Sequence, residues 1–150
     1  DVERSRGLGD VYKRQAKDSA KIGFSTGWLS GFIDAEGCFR IAIDRGDNNR
    51  AKMIFEITQK ELKPLKELAE LLSLKKNIRE DRGVYVLYTS DQTARVKLIE
   101  YIDQYPLKTK KRISYGYWKK AHLLDKSDPK YLEKIQEWKR KIAENVKNIS

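Results

Sequence analysis

The sequence predicts an α+β domain, an αββαββα core with a four-stranded antiparallel sheet, helices on one face and extra helices near the C-terminus. Two patterns predict this class. Two pairs of short alternating segments, each pair separated by a turn signal, indicate two hairpins. The segments around them place apolar residues at helical spacing instead. Both hairpins can therefore join one sheet whose apolar face is covered by helices.

The first helix is expected to begin after an N-cap at Ser25 or Thr26 and to end at Gly37. One of its faces has almost no side-chain bulk. The small residues that form this face recur every four positions, at Gly27, Gly31 and Ala35. Another helix backbone can approach such a face closely, either from a second copy or from elsewhere in the same chain.

Two carboxylates, Asp34 and Glu36, stand at the C-terminal end of this helix. The helix dipole is already negative there, so acids are unfavourable unless a positive charge lies beside them. A divalent cation is the obvious candidate for that charge. The alternative, two solvated acids at a helix end, is the better interpretation on composition alone.

The first hairpin is predicted from residues 38–45 and 52–59, which flank the turn signal at residues 46–49. One face of each strand is apolar, apart from an interruption at Ile54. The apolar set is Phe39, Ile41, Ile43, Met53, Phe55 and Ile57. The opposite set is Arg40, Ala42, Asp44, Lys52, Glu56 and Thr58. A second hairpin is predicted around Gly83, from residues 78–82 and 84–89.

The other helices follow from local signals. A helix over residues 61–73 has Pro64 in its first turn, and Asp91 can cap a helix that ends before Pro106. A basic run leads into a helix through Leu124. The last helix starts after Pro129, and its apolar stripe is Tyr131, Ile135, Trp138, Ile142 and Val146. Residues 1–20 are predicted to be a disordered tail, and residues 21–150 a single domain.

Composition limits the class of protein. The chain has 150 residues, of which 39% are hydrophobic, and its formal net charge is +10. This charge favours a nucleic acid partner, the alternative being a solvated basic surface. With one cysteine, Cys38, and one histidine, His122, the chain offers no internal disulfide, cysteine zinc site or multi-histidine site.

No segment approaches the roughly 18 apolar residues that a membrane span needs, and residues 1–20 contain no apolar signal-peptide core. We expect a soluble intracellular protein, in an organelle matrix or stroma or in a prokaryotic cytoplasm, without a membrane or small-molecule substrate as partner.

The string Leu29–Gly37 resembles the LAGLIDADG motif of homing endonucleases, with Glu36 in place of the second aspartate. The αββαββα order fits the core of that family. Phe55–Lys60 resembles the end of the family's second strand, where a glutamine often lies near the active site. Pro106–Arg112 resembles its basic stretch, the usual source of an active-site lysine. The resemblance covers about residues 24–145.

The resemblance implies a site-specific endonuclease that hydrolyses phosphodiester bonds in double-stranded DNA with Mg²⁺, for which Mn²⁺ can substitute. A single copy of the motif implies a homodimer with two or more divalent ions, acting on a near-palindromic site. The origin is an intron, an intein or a free-standing gene. The alternative is an RNA-splicing maturase or a DNA-binding regulator on the same fold that does not cut.

By resemblance, Glu36 and the Gly37 carbonyl hold metal, Gln59 orients solvent, and Lys110 stabilises charge, with Lys108 as the next candidate. The dimer interface would contain Gly27, Gly31, Asp34 and Ala35, with Asp34 as a structural brace.

The resemblance also implies a set of DNA contacts on the sheet. The first hairpin would place Arg40, Ala42, Asp44, Lys52, Ile54, Glu56 and Thr58 on DNA. The second would add Arg79, Arg82 and Tyr85. Arginine suits guanine and glutamate suits cytosine. Phosphate contacts would come from Lys111, Arg112, Lys119 and Lys120.

Overall fold

A computed structural model describes residues 22–44, 46 and 50–149 of the chain. The predicted tail over residues 1–20 lies outside this range. In chain order the elements are α1 (Trp28–Glu36), β1 (Gly37–Asp44), β2 (Arg50–Gln59), α2 (Leu62–Leu71), β3 (Ile78–Asp81), β4 (Val84–Thr89), α3 (Gln92–Gln104), α4 (Lys111–Leu123) and α5 (Tyr131–Ile149).

The four strands form one antiparallel sheet in the order β1-β2-β4-β3, which confirms the predicted α+β class. The register pairs Phe39 with Phe55 and Ile57 with Leu87, so the large apolar side chains of three strands share one face. The helices cover this face, and the other face is left open. The alternating pattern of the first hairpin therefore corresponds to a real division between the two faces.

Trp118 of α4 is the largest of the fully buried side chains among the described residues. Its ring packs edge-on against Phe39, with ring centroids 5.0 Å apart. Its indole Nε1 donates a hydrogen bond to the carbonyl oxygen of Ile54 at 3.0 Å. The regular pairing of β2 with β4 starts one residue later, at Phe55. The indole N–H therefore provides a hydrogen-bond donor for a carbonyl that lies just outside this pairing.

The second hairpin turns at Arg82 and Gly83, both in the left-handed region with φ of 55° and 86°. Positive φ at both central residues of a two-residue loop is the signature of a type I′ turn. This turn fixes the register, which pairs Tyr85 with both Gln59 and Glu80. Tyr85 therefore lies on the helix-covered face and packs against the core. Its predicted place on the open face is wrong, because the parity of β4 is set by the turn.

The predicted N-cap of α1 is also wrong. The N-cap residue is Gly27, and it makes no side-chain capping bond. The hydroxyl of Thr26 accepts a hydrogen bond from the backbone N–H of Trp28 at 3.4 Å, and a second partner is the hydroxyl of Tyr101 in α3. It accepts a hydrogen bond from the backbone N–H of Ser30 at 2.8 Å and donates one to the carbonyl oxygen of Thr26 at 2.6 Å. The predicted cap of α3 is confirmed, since Asp91 accepts from the backbone N–H of Ala94 at 3.0 Å.

Helix α5 buries Ile135 and Ile142, but Val146 at the end of the predicted stripe is 48% exposed. Asn145 is buried in its place, and its side-chain amide donates to the carbonyl oxygen of Lys110 and to the hydroxyl of Ser114. Helix α5 is thereby fastened to the start of α4. None of the described helices is both long enough and apolar enough to cross a membrane.

Candidate active site and nucleic-acid interface

Helix α1 runs into strand β1 without a loop, and Gly37 is the residue at the junction. A Cβ atom at this position would lie 2.9 Å from the carbonyl oxygen of Ile33 and 3.3 Å from the ring of Phe55. Only glycine fits such a close approach. The junction therefore holds Glu36, the last residue of the helix, in an exposed position next to the start of the sheet.

The carboxylate of Asp34 accepts hydrogen bonds from other residues of the chain. The donors are the backbone N–H of Lys108 at 2.6 Å and the hydroxyl of Thr109 at 2.6 Å. The backbone N–H of Thr109 adds a third bond at 3.3 Å. Asp34 thus joins the end of α1 to the loop between α3 and α4. Because its oxygens already have these partners, Asp34 is poorly suited to metal binding.

The cation at the C-terminal end of α1 is Lys111, whose Nζ donates to the carbonyl oxygen of Ile33 at 3.3 Å. Burial lowers the pKa of Lys111, and the nearby Cys38, Asp34 and Glu36 act against this shift. The sequence prediction placed Lys111 on a DNA phosphate, whereas the structure directs its ammonium group to the helix end. The positive charge expected beside the two acids is therefore supplied, at least in part, by the chain itself.

Glu36 and Gln59 lie in the same surface depression, which has a volume of about 550 Å³. Its other lining residues are Thr58, Lys60, Glu61 and Val84. The structure therefore brings together two of the three residues predicted to be catalytic. The third, Lys110, lies at the N-cap of α4 with an exposed side chain and does not line this depression.

The small residues of α1 form an exposed face, with Gly27, Gly31 and Ala35 all open to solvent. A Cβ atom at Gly31 would meet nothing within 4 Å, and one at Gly27 would meet only the ring of Tyr105, at 3.6 Å. Among residues 22–44, 46 and 50–149, none therefore packs closely on Gly31. The glycine at position 31 is therefore not explained by packing within the described part of the chain.

The open face of the sheet carries most of the residues predicted to contact DNA. Arg40, Asp44, Lys52, Thr58 and Arg79 are exposed there. Ala42 shares the face and is half-buried. Ile54 shares it too, but it is only 2% exposed, so its predicted role as a DNA contact is wrong. At this degree of burial its side chain offers almost no surface to a ligand.

Two open-face residues are absent from the sequence prediction. Arg50 is exposed and pairs with Asp44. Tyr88 pairs with Glu56 and lies under the guanidinium of Arg40. The alternation of β4 could have indicated the position of Tyr88, because Val84, Val86 and Tyr88 share one face of the strand.

The other predicted DNA contacts lie outside the open face. Arg82 lies in the turn, and its side chain is 95% exposed. Arg112 is exposed at the start of α4, while Lys119 forms an ion pair with Asp103 at 2.6 Å.

The described residues contain no group of three or more histidine, cysteine or acidic side chains that could hold a metal ion. Glu36 is one exposed carboxylate beside the Gly37 backbone. Mg²⁺ usually keeps several waters and binds through one or two carboxylates together with substrate phosphates. The donor set therefore fits a cation whose shell is completed by water, by substrate and by a second carboxylate.

These features match a known protein family. The family model described as LAGLIDADG endonuclease matches residues 29–122. The chain is 36% identical over 129 residues to probable intron-encoded endonuclease 4 of Neurospora crassa, covering 81% of this chain and 24% of that protein. It is 34% identical over 112 residues to probable intron-encoded endonuclease Cox1-I1b of Schizosaccharomyces pombe, covering 66% and 27%. The chain thus spans about a quarter of the length of these relatives.

Solved structures of LAGLIDADG endonucleases have a similar fold. The LAGLIDADG meganuclease I-AabMI bound to uncleaved DNA is similar with a TM-score of 0.66 and 28% identity, over 76% of this chain and 43% of that chain. I-SmaMI bound to uncleaved DNA in the presence of calcium ions gives 0.70 and 25%, over 79% and 45%. The homing endonuclease I-TnaI shares the fold, with a TM-score of 0.63 and 21% identity, over 87% of this chain and 99% of that chain. The chain belongs to the LAGLIDADG endonuclease family.

Proposed function

We propose that the protein is a site-specific endonuclease that hydrolyses phosphodiester bonds in both strands of duplex DNA. The observation that carries this proposal is the shared depression of Glu36 and Gln59, at the C-terminal end of the helix that carries the exposed small-residue face. Its relatives are named intron-encoded endonucleases, which supports an origin in an intron.

The proposed cofactor is Mg²⁺, with Glu36 as the carboxylate ligand and the carbonyl of Gly37 beside it. When bound, the metal ions would relieve the negative charge of the phosphate and supply an activated water. Gln59 can orient a water molecule in the same depression through its side-chain amide. Lys110, by resemblance, stabilises charge on the phosphate. Asp34 has no direct part, because its carboxylate holds the loop that carries Lys108 and Thr109.

The proposed assembly is a homodimer in which two copies of α1 pack along Gly27, Gly31 and Ala35. Each of these residues is exposed, and Gly31 has room for a neighbouring backbone. Two-fold packing would bring two Glu36 carboxylates near the axis, one for each DNA strand. Their mutual repulsion would favour cations between them. A symmetric protein of this kind is expected to act on a near-palindromic site.

DNA is proposed to lie on the open face of the sheet. A two-stranded ribbon fits the major groove, and the exposed arginine and lysine side chains of β1, β2 and β3 lie on that face. The formal net charge of +10 favours association with a polyanion. The neighbours I-AabMI and I-SmaMI were both solved with DNA bound.

The test is cleavage of a plasmid pool with randomised inserts in Mg²⁺ or in Ca²⁺, followed by sequencing of the cut ends. We expect double-strand cuts in Mg²⁺ at one near-palindromic sequence. Glu36→Gln should lower the rate by about 100-fold or more, as expected for a group that acts on the reacting phosphate. Glu61→Gln is the matched control, since Glu61 lines the same depression, and it should cleave like the wild type.

Full cleavage by Glu36→Gln would show the mechanism to be wrong. Specific binding in both ions without nicks in Mg²⁺ would contradict the endonuclease and favour a binding protein on the same fold.

A further inference from the structure

On the open face of the sheet, one carboxylate lies between two guanidinium groups. Oε1 of Glu56 in β2 lies 3.2 Å from Nε and 3.2 Å from Nη2 of Arg40 in β1. Its other oxygen, Oε2, lies 3.9 Å from Nη2 of Arg79 in β3. Glu56 thus contacts arginines from the strands on both sides of the central pair, and it uses a different oxygen for each.

Exposure differs among these three side chains. The side chain of Glu56 is 21% exposed, whereas those of Arg40 and Arg79 are 44% and 58% exposed. The carboxylate is therefore recessed, and the guanidinium groups stand further out. A ligand that approaches the open face meets the arginines first.

Tyr88 of β4 supports the same arrangement. It pairs with Glu56 across the β2–β4 ladder, and the guanidinium carbon of Arg40 lies 5.8 Å from the centre of its ring. This distance is within the range of a cation–π contact. Arg40 is therefore held from two sides, by a charged hydrogen bond at its Nε edge and by an aromatic ring.

We infer that Glu56 is a positioning residue for base recognition, which fixes Arg40 in the orientation that reads a guanine. The inference rests on the proposed function, because it assumes that DNA lies on this face. A guanidinium has five N–H donors, and the contact with Glu56 uses the Nε and Nη2 edge. Nη1 and the remaining hydrogen of Nη2 can then engage the O6 and N7 atoms of guanine as a bidentate pair.

The physical gain is preorganisation. A free arginine side chain loses rotamer entropy when it is fixed on a base, and a side chain that is already held loses less. Fixing the orientation also removes poses in which Arg40 contacts a phosphate or a different base. Glu56 would therefore increase discrimination without contacting the DNA. This differs from the sequence-based pairing of a glutamate with cytosine, which requires Glu56 to reach a base itself.

The experiment selects bound duplexes from a randomised pool in Ca²⁺, with the full chain as wild type, Glu56→Gln, Arg40→Ala and the double variant. Glu80→Gln is the matched control. Glu80 is an exposed glutamate next to Arg79 in sequence, its removal changes the net charge equally, and it pairs with Tyr85 on the opposite face of the sheet.

We expect Glu56→Gln to lower the preference for guanine at one position of the site by about tenfold. Arg40→Ala should affect the same position, and the double variant should be no worse than Arg40→Ala alone. Glu80→Gln should keep the wild-type preferences. A loss spread evenly over all positions, with a lower melting temperature, would mark a merely structural role and overturn the inference.

Two other results would also overturn it. Unchanged preferences in Glu56→Gln would show that Arg40 needs no positioning. A loss at a position that Arg40→Ala leaves intact would show that Glu56 reads a base directly. If the wild type itself selects no sequence, the proposed function fails as well, so the two failures are distinguishable.

Discussion

The ammonium group of Lys111 and the carbonyl oxygen of Ile33 form a 3.3 Å hydrogen bond that links α4 to the C-terminal end of α1. This end of α1 carries the negative pole of the helix dipole and the acids Asp34 and Glu36. Burial lowers the pKa of Lys111, because partial removal of the ammonium group from water disfavours its charged form.

The charge of Lys111 should therefore add nothing to the stability of the fold, because its lowered pKa means that desolvation of the ammonium group outweighs the attraction of the neighbouring acids. Lys111→Met keeps most of the side-chain volume but removes the charge, and we expect the free energy of unfolding to stay unchanged or to rise by up to about 1 kcal/mol. Lys110→Met is the control, because Lys110 is exposed, and it should change stability by less than about 0.5 kcal/mol. Urea unfolding of the two variants provides the measurement. A loss of more than about 1 kcal/mol in Lys111→Met would contradict this account.

Lys110 and Lys111 also show how far sequence alone can go. The resemblance placed an active-site lysine in this run, but it could not tell which neighbour faces the end of α1. Consecutive residues in a helix point about 100° apart, so a change of one position changes the partner. Only the packing of α4 on α1 determines which of the two lysines faces the end of α1.

Local signals predicted the elements whose causes are local. The alternation of β1 and β2, the turn at Gly83 and the cap at Asp91 all depend on residues within a few positions of each other. The start of α1 also depends on Tyr101, which is 71 residues away from Ser30, so the local sequence gives no signal for this hydrogen bond. Tyr85 was assigned to the wrong face because a one-residue uncertainty in register reverses every side chain.

Replacing Asp34 and replacing Glu36 should have different effects on the free energy of unfolding. Asp34→Asn leaves one acceptor oxygen where the carboxylate had two, and the new amino group competes with the donors at Lys108 and Thr109. We expect a loss of about 1–3 kcal/mol of unfolding free energy, since donors lose their charged partner. Glu36→Gln, at an exposed position of the same helix, should change stability by less than about 0.5 kcal/mol.

The comparison requires both variants under one set of denaturant conditions. A loss of stability in Glu36→Gln as large as that in Asp34→Asn would show that Glu36 has a structural role as well.

His122 should make stability depend on pH. Arg95 Nε donates to His122 Nδ1 at 3.2 Å, so the imidazole accepts this bond only when neutral. Burial, followed by the charge of Arg95, lowers the pKa of His122 below its ordinary value of 6.5. The unfolded chain then binds more protons than the folded chain just below pH 6.5, and stability is lost as the pH falls through that value.

The measurement compares the urea midpoints of the wild type and His122→Gln at pH 7.5 and at pH 5.5. The other charged or titratable groups around Arg95 are Asp91 and Tyr131, and both stay in place in the variant. We expect the wild type to lose more stability than the variant between these two pH values. A loss of equal size in both proteins would exclude His122 as the source.

The small-residue face provides a steric test of assembly. Gly31 and Gly116 are both helical glycines at which an added Cβ meets nothing within 4 Å. A leucine at either position should raise the stability of an isolated chain by up to about 1 kcal/mol, because glycine is unfavourable in a helix. Gly31→Leu would in addition place a bulky side chain where the second α1 helix is proposed to pack. Sedimentation should therefore give a dimer for the wild type and for Gly116→Leu, and a folded monomer for Gly31→Leu. Cleavage of both strands should be lost in Gly31→Leu alone, and a Gly31→Leu dimer that still cuts both strands would place the interface elsewhere.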